Sequence, residues 1–213
     1  MNGISLIWDI DGTLIDSYPA IVSALTQTLL SHGISWDPLE IERFVKQYSI
    51  NEFFRSMTQG TGFDAPALQK EYGELVHKTD IYSKPMKNAI ELLKSTKDKG
   101  IEHYIITHRS ETTFDILRNN HMDDYFKEVI TNNNGFARKP DPTSILYLVS
   151  KYDLNKERTF YVGDRSLDMQ AANNAEIPGI LYLPNPEMDI STEEADYIVD
   201  DLIDIEEILD MLD

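Results

Sequence analysis

The sequence predicts an α/β fold in which a parallel β-sheet carries helices on both faces. Six short apolar segments have the length and composition of buried strands, at 4–9, 102–107, 128–131, 158–163, 178–183 and 196–199. Helical patterns lie between most of them, and this alternation is typical of a parallel sheet. Because ligands of such sheets bind at the carboxyl ends of the strands, polar residues that follow the strands are the first candidates for a functional site.

Two aspartates come directly after the first of these segments. Asp9 and Asp11 are two residues apart, and residues two apart on an extended chain share a face. Gly12 permits a sharp turn, and Thr13 offers a hydroxyl and an amide to an anion. Paired carboxylates suit a hard cation, or a division of labour between a nucleophile and a proton donor. Two surface aspartates in a turn are the alternative.

A hydroxyl residue, Thr107, ends the second strand candidate. Ser110 and Glu111 are predicted to open a helix over 111–119 with an N-cap and an acidic first turn. Such a helix start collects backbone N–H donors that suit phosphate oxygens. Taken alone, Thr107 fits an ordinary strand-end threonine better than a ligand.

A lysine, Lys139, precedes a turn that Pro140 restricts. Asp141 and Pro142 have the pattern of an N-cap followed by proline at the first helical position, which predicts a helix over 143–152. Taken alone, a lysine here fits a solvated surface charge better than a functional group.

The segment 158–163 repeats the opening pattern of an apolar strand followed by an acid. Asp164 comes after Gly163, and Asp168 lies four residues on, where a helix predicted over 166–174 brings it back beside Asp164. The chance of finding acids, a lysine and a threonine together at successive strand ends is much smaller than the chance of finding any one of them there.

The chain resembles the haloacid dehalogenase superfamily at four motifs, in the phosphatase branch typified by phosphoglycolate phosphatase and beta-phosphoglucomutase. The motifs are Asp9-x-Asp11-Gly12-Thr13, Thr107, Lys139-Pro140 and Gly163-Asp164-x-x-x-Asp168. The resemblance implies a Rossmann-like core and a magnesium-dependent, phosphoglycolate phosphatase-like enzyme that hydrolyses a small phosphomonoester. In combination the motifs are specific for this chemistry and not for the substrate.

Residue types and the resemblance together imply a role for each site residue. Asp9 is expected to attack phosphorus and form an aspartyl-phosphate, and Asp11 to protonate the leaving alkoxide and later take a proton from water. A Mg²⁺ ion is expected to bind Asp9, the main-chain carbonyl of Asp11 and Asp164, with Asp168 acting directly or through a water. The expected substrate-binding residues are Thr13, Thr107, His108 and Lys139.

Residues from about 16 to 82 interrupt the alternation of strands and helices. Helical stretches are predicted at 19–32, 37–47, 50–58 and 65–79, with no good strand between them. The block resembles the helical cap of this superfamily, which excludes water and contacts the substrate. The expected domains are therefore a catalytic core of 1–15 with 83–213 and a cap of 16–82, with hinges at 15–18 and 82–86.

Alternatives to a phosphatase stay open at this point. A phosphosugar mutase of the beta-phosphoglucomutase type keeps both aspartates, so the motifs allow it, whereas a dehalogenase resembles this pattern without the second aspartate. A non-catalytic relative that senses phosphate or binds partners is less expected, because no motif residue is missing. One departure from the family is His108-Arg109, where many phosphatases carry Asn after the motif threonine. His108 is expected to touch the substrate, to orient a neighbour or to cap the strand.

Composition narrows the class of protein. The absence of cysteine excludes disulfides and thiol chemistry, and no segment reaches the length of an apolar membrane span. With a first strand almost at Met1, a cytoplasmic protein is expected. The net charge of -18 disfavours nucleic acid and anionic membranes as partners. A small phosphorylated metabolite is the expected partner, and the protein is expected to be a monomer or weak homodimer.

The C-terminal segment 187–213 is rich in acidic residues. It is predicted to form an amphipathic helix over 202–212.

Overall fold

The computed structural model describes residues 3–188 and 190–212. It divides into two compact units, an α/β unit of Met1–Asp16 with Lys84–Asp213 and a helical unit of Ser17–Ser83. The expected boundaries at 15/16 and 82/83 lie within one residue of this division.

The α/β fold predicted from the strand pattern is confirmed. The strands are β1 (Ser5–Trp8), β2 (Ile15–Asp16), β3 (Lys84–Pro85), β4 (Glu102–Ile106), β5 (Phe126–Ile130), β6 (Thr159–Gly163), β7 (Gly179–Tyr182) and β8 (Tyr197–Val199). Six of them form one parallel sheet in the order β5-β4-β1-β6-β7-β8. The connection from β5 to β6 crosses β4 and β1, so β1 lies in the middle of the sheet between β4 and β6.

The helices follow the predicted periods closely. They are α1 (Tyr18–Ser31), α2 (Pro38–Gln47), α3 (Ile50–Thr58), α4 (Ala65–Asp80), α5 (Ala89–Asp98), α6 (Thr112–Asn119), α7 (Thr143–Tyr152), α8 (Ser166–Asn174) and α9 (Ile205–Asp210). The first four make up the helical unit, whose own apolar core includes Leu25, Ile41 and Phe53. Among the described residues, none of the helices combines the length and apolar character that a membrane crossing requires.

Both faces of the parallel sheet are apolar, and neighbouring strand residues alternate between them. On β1, Leu6 and Trp8 belong to one core and Ile7 to the other; on β6, Val162 and Tyr161 divide in the same way. Since helices cover both faces, these strands read as continuous apolar runs rather than alternating ones. The first and last of the predicted motifs follow the carboxyl ends of β1 and β6.

The structure corrects three local expectations. The helix after Thr107 begins at Thr112, and the residue at its N-cap is Glu111, whose side chain makes no cap hydrogen bond; Ser110 is therefore not the N-cap. The short ribbon β2–β3 was not predicted, although it joins the two expected hinge segments through antiparallel pairing. The C-terminal helix is shorter than 202–212, because a 3-10 turn at Leu202–Asp204 precedes α9.

Candidate active site

The loop after β1 carries the first motif at the carboxyl edge of the sheet. Asp9 continues the strand, since its N–H donates to the carbonyl of Val162 at 2.9 Å. Gly12 then turns the chain at a φ of 78°, a conformation that glycine adopts without steric cost. Its N–H donates to the carbonyl of Ile15 at 2.8 Å and closes the loop. Asp9 is thereby buried, whereas Asp11 keeps part of its surface exposed.

Three buried carboxylates meet at this edge, as the sequence spacing predicts. Asp9, Asp164 and Asp168 each offer an oxygen, and these oxygens lie within 4.8 Å of one another. Asp164 also accepts a 3.4 Å hydrogen bond from the hydroxyl of Thr13. Asp168 lies in the first turn of α8, where its Oδ2 accepts the N–H of Arg165 at 3.2 Å. The first and last motifs therefore share one acidic cluster, of a donor set that suits a hard cation.

Lys139 is buried against this cluster, and is not a surface charge. Its Nζ lies 2.7 Å from Asp9 Oδ1 and 2.6 Å from Asp168 Oδ1. Burial by itself would lower the pKa of Lys139, but Asp168 and Asp9 outweigh it and hold that pKa well above its usual range. The side chain is therefore an ammonium that offsets two of the carboxylates.

Tyr161 holds the same ammonium from the strand β6, a contact that sequence reasoning missed. Its hydroxyl accepts a 3.0 Å hydrogen bond from Lys139 Nζ and donates to the carbonyl of Ile106 at 3.2 Å. Burial raises the pKa of Tyr161 well above its usual range, so the hydroxyl keeps its proton. The only sequence signal was a polar tip on an otherwise apolar strand two residues before Gly163.

Without a bound cation, the buried environment of Asp9 disfavours the ionised form of its carboxyl group. Burial raises the pKa of the Asp9 carboxyl to about 6, and Lys139 opposes that rise while Asp168 and Asp11 add to it. A divalent cation beside Asp9 would favour the carboxylate, which is the form able to attack phosphorus.

Thr107 and His108 lie just after β4, beside the lysine turn. The N–H of Thr107 donates to the carbonyl of Ile130 at 2.9 Å, which orients its buried side chain at the sheet edge. His108 Nε2 accepts the N–H of Lys139 at 3.0 Å, so its ring proton is on Nδ1. Burial lowers the pKa of His108 to about 2, with Lys139, Arg138 and Arg165 adding to the effect. His108 is thus a neutral ring that fastens the Lys139 turn, while its predicted contact with substrate stays a prediction.

Arg109 forms an ion pair that the sequence did not predict. Its Nε donates to Asp11 Oδ1 at 2.8 Å, and its Nη2 donates to the same oxygen. The arginine side chain is 8% exposed and that of Asp11 27%. The departure from Asn after the motif threonine was visible in the sequence, but nothing local indicated which residue the guanidinium would meet.

The predicted site residues therefore assemble in two connected groups. Asp9, Asp164, Asp168 and Lys139 form the buried centre, with Thr13 bonded to Asp164. Outside this centre, the side chain of Asp11 lies with Arg109, just before the turn at Gly12. Its expected metal contact was through the main-chain carbonyl, so its side-chain position leaves that prediction as it was.

A family model for haloacid dehalogenase-like hydrolases matches residues 6–182, which include all four motifs. The chain belongs to this family. The phosphoglycolate phosphatase of Rhodobacter capsulatus is 29% identical over 187 residues, covering 84% of this chain and 83% of that protein. The phosphoglycolate phosphatase of Vibrio cholerae is 28% identical and covers 95% of each chain.

Solved structures of haloacid dehalogenase-like proteins share the fold over nearly the whole chain. A family member from Streptococcus pneumoniae superposes with a TM-score of 0.81 at 19% identity, covering 99% of this chain and 98% of that one. A hydrolase of the superfamily from Geobacter sulfurreducens gives 0.75 at 22% identity, with 97% and 96% covered. The predicted family and enzyme class, a hydrolase of the phosphatase type, are confirmed. The buried acidic cluster of this protein fits the divalent metal that such phosphatases generally use.

Proposed function

We propose that the protein is a Mg²⁺-dependent phosphatase that hydrolyses a small phosphomonoester through an aspartyl-phosphate on Asp9. The observation that carries the proposal is the buried group of three carboxylates around one ammonium, with Asp9 Oδ1 2.7 Å from Lys139 Nζ. A surface pair of aspartates has no such lysine and no such burial. Enzymes use arrangements of this kind to divide hydrolysis into two displacements.

Asp9 is the nucleophile of the first displacement. It lies at the end of the central strand, and its backbone is held by the carbonyl of Val162. Lys139 offsets the negative charge that gathers when a phosphate approaches a carboxylate. Thr107, buried at the neighbouring strand end, donates its hydroxyl to a phosphoryl oxygen.

Asp11 handles the protons of both displacements. In the first, its carboxyl gives a proton to the oxygen of the leaving alcohol as the bond from that oxygen to phosphorus breaks. In the second, its carboxylate takes a proton from the water that attacks the phosphorus of the phosphorylated Asp9. Asp11 lies two residues after Asp9, just before the turn at Gly12, and serves the leaving-group side of the phosphorus.

Asp9, Asp164 and the main-chain carbonyl of Asp11 would hold the Mg²⁺ ion. All three offer oxygen, the ligand that Mg²⁺ prefers. Both carboxylate oxygens of Asp168 accept hydrogen bonds, from Lys139 and from the N–H of Arg165. Asp168 therefore acts on the ion through a water. When bound, Mg²⁺ neutralises phosphoryl charge that Lys139 alone cannot offset.

Phosphoglycolate is the first substrate to test. The phosphoglycolate phosphatases of Rhodobacter capsulatus and Vibrio cholerae match this chain over 83% and 95% of their own length, at 29% and 28% identity. The cytoplasmic location, the monomeric or weakly dimeric state and the absence of nucleic-acid or membrane partners remain predictions from the sequence.

The test is phosphate release from a panel of phosphoglycolate, sugar phosphates, pyrophosphate and nucleotides, with and without Mg²⁺. We expect turnover of one or a few members that is lost in Asp9→Asn and kept in Asp115→Asn, an exposed aspartate on α6 paired with Arg118. Retention of full activity by Asp9→Asn would contradict the mechanism. Isomerisation of a sugar phosphate without phosphate release would favour the mutase instead.

A further inference from the structure

Arg109 is set firmly in the loop between β4 and α6. Its N–H donates to Thr107 Oγ1 at 3.2 Å, and its carbonyl accepts the N–H of Asn132 at 2.8 Å. With the backbone tied on both sides, the guanidinium reaches across the sheet edge to Asp11. The loop therefore places one cation beside the residue that serves the leaving group, while Lys139, from the segment between β5 and α7, lies beside the nucleophile.

The ion pair between Arg109 and Asp11 must loosen during the proposed reaction. Asp11 has to give its proton to the leaving oxygen, and the guanidinium bonds reach the same carboxylate through Oδ1. The Arg109 side chain is 8% exposed. Leaving a buried cation without an anionic partner is costly, so Arg109 needs a replacement acceptor as Asp11 turns to the substrate.

We propose that Arg109 binds a carboxylate of the substrate that is attached directly to the ester carbon and takes the place of Asp11 on the guanidinium. This rests on the proposed function, because the leaving oxygen must lie against Asp11 for the substituent to reach Arg109. The carbon of such a carboxylate is two bonds from the ester oxygen, so an ester oxygen beside Asp11 brings the carboxylate close to the guanidinium that holds Asp11. Its planar pair of oxygens matches the guanidinium fork.

The exchange gives Arg109 a role in specificity. An ester whose leaving alcohol carries the carboxylate satisfies the guanidinium and releases Asp11 in one step. An ester with an uncharged arm leaves Arg109 and Asp11 paired, because nothing replaces the aspartate.

Two esters of matched size test the proposal by turnover: phosphoglycolate, and 2-hydroxyethyl phosphate, which has a hydroxymethyl group in place of the carboxylate. We expect the wild-type protein to prefer phosphoglycolate. Arg109→Gln is expected to lower kcat/KM for phosphoglycolate by about 10- to 100-fold, the value of a charge-assisted pair, with no loss for the neutral ester, because the substitution also removes the pair that holds Asp11. Arg109→Lys keeps the charge but not the planar pair of N–H donors. Its kcat/KM for phosphoglycolate is expected to lie between the values for the wild-type protein and Arg109→Gln. Arg118→Gln, an exposed arginine on α6, serves as the control.

A binding measurement on the wild-type protein separates this proposal from the proposed function. The probes are 3-phosphonopropionate and 3-hydroxypropylphosphonate, which cannot be hydrolysed, titrated calorimetrically in the presence of Mg²⁺. We expect the carboxylate probe to bind more tightly, and Arg109→Gln and Arg109→Lys to remove or reduce that difference.

Equal binding of the two phosphonates, or an equal loss for both esters in Arg109→Gln, would overturn the proposal and leave Arg109 as a residue that only orients Asp11. If the binding preference and its dependence on Arg109 hold while neither ester is hydrolysed, the anion site stands and the proposed phosphatase activity fails. Circular dichroism melts of each variant check folding, and Arg109→Lys carries the comparison if the glutamine variant does not fold.

Discussion

His103 on β4 joins two elements of the core through both of its ring nitrogens. Trp8, which directly precedes Asp9, donates its indole N–H to His103 Nδ1 at 3.1 Å, and the hydroxyl of Thr96 on α5 lies 3.1 Å from Nε2. The residue is 1% exposed. Burial lowers the pKa of His103 to about 4, and Lys97 adds to the effect, so the ring is neutral in the folded protein.

Folding stability is therefore expected to depend on pH through His103. Its pKa falls from 6.5 when unfolded to about 4 when folded, so the unfolded chain binds the extra proton between these values. The full contribution is present above pH 6.5 and is lost as the pH falls toward 4, to a total of about 3 kcal/mol. Urea unfolding from pH 4 to 7.5 checks this.

His103→Gln should flatten that pH dependence relative to wild type, since it removes the titrating ring. His121→Gln, at an exposed histidine, is the matched control and should keep the wild-type slope. Equal slopes in all three proteins would show that His103 does not carry the effect.

Residue identities at the site were predictable, but several of their partners were not. Motif spacing placed Asp9, Lys139 and Asp164 at neighbouring strand ends. The contacts of Arg109 and Tyr161 join residues distant in sequence, 98 positions apart for Arg109 and Asp11. Such contacts depend on strand register and side-chain conformation, neither of which leaves a local pattern.

The junction of β6 and α8 shows how elements position the acids. An added Cβ at Gly163 would lie 2.4 Å from Asp168 Cβ and 2.6 Å from its Oδ2. Glycine is required here by space, because the first turn of α8 crosses the end of the strand. This approach brings Asp168 back to Asp164 and Lys139.

Gly163→Ala is expected to displace Asp168 and with it Lys139. We expect a loss of unfolding free energy of about 2 kcal/mol or more, and a fall in phosphate release of about tenfold or more. Chemical unfolding and turnover measure the two effects.

Gly73→Ala is the matched control, because Gly73 lies inside α4 with no atom near its added Cβ. Alanine there is expected to stabilise by about 0.5–1 kcal/mol. A wild-type level of stability and activity in Gly163→Ala would contradict the crowding argument.

At the scale of elements, long periodic segments were predicted well and short ones were missed. The bounds of α3 and α7 agree with the predicted 50–58 and 143–152. The ribbon β2–β3 has two residues per strand, too few to show a period, and its pairing depends on the main chain alone. The prediction of an N-cap at Ser110 was wrong for a related reason, since the residue that caps the helix depends on the path of the loop after β4.

Acidic residues are concentrated in the C-terminal segment 187–213, and several of them have partners in the folded structure. The acids Asp201 and Glu206 pair with Lys87 and Lys99 of the segment around α5. Asp196 accepts the N–H of Gly179 at 2.8 Å and so helps to hold β7 beside β8. These residues stabilise the end of the sheet, in addition to the solvated face that the sequence predicted.

The three buried carboxylates of the site repel one another, and a bound divalent cation would reduce that repulsion. Mg²⁺ that binds only the folded protein is expected to raise the midpoint of thermal unfolding, by about 5–10 °C at a concentration near 100 times the dissociation constant. Scanning calorimetry with MgCl₂ against NaCl of equal ionic strength measures this. Asp164→Asn should lose most of the shift and Asp115→Asn should keep it. An equal shift in both variants would place the cation elsewhere.

Local pattern was sufficient for the class of fold, the family and the positions of the motifs, because strand length, helical period and motif spacing are properties of neighbouring residues. Three contacts were visible only in the tertiary structure. They are the ion pair of Arg109 with Asp11, the hydrogen bond between Tyr161 and Lys139, and the hydrogen bond of His108 to the backbone of Lys139. Each joins strand ends that are distant in sequence, and their meeting depends on the order of strands in the sheet. The free energy of burying charge then selects which partners they keep.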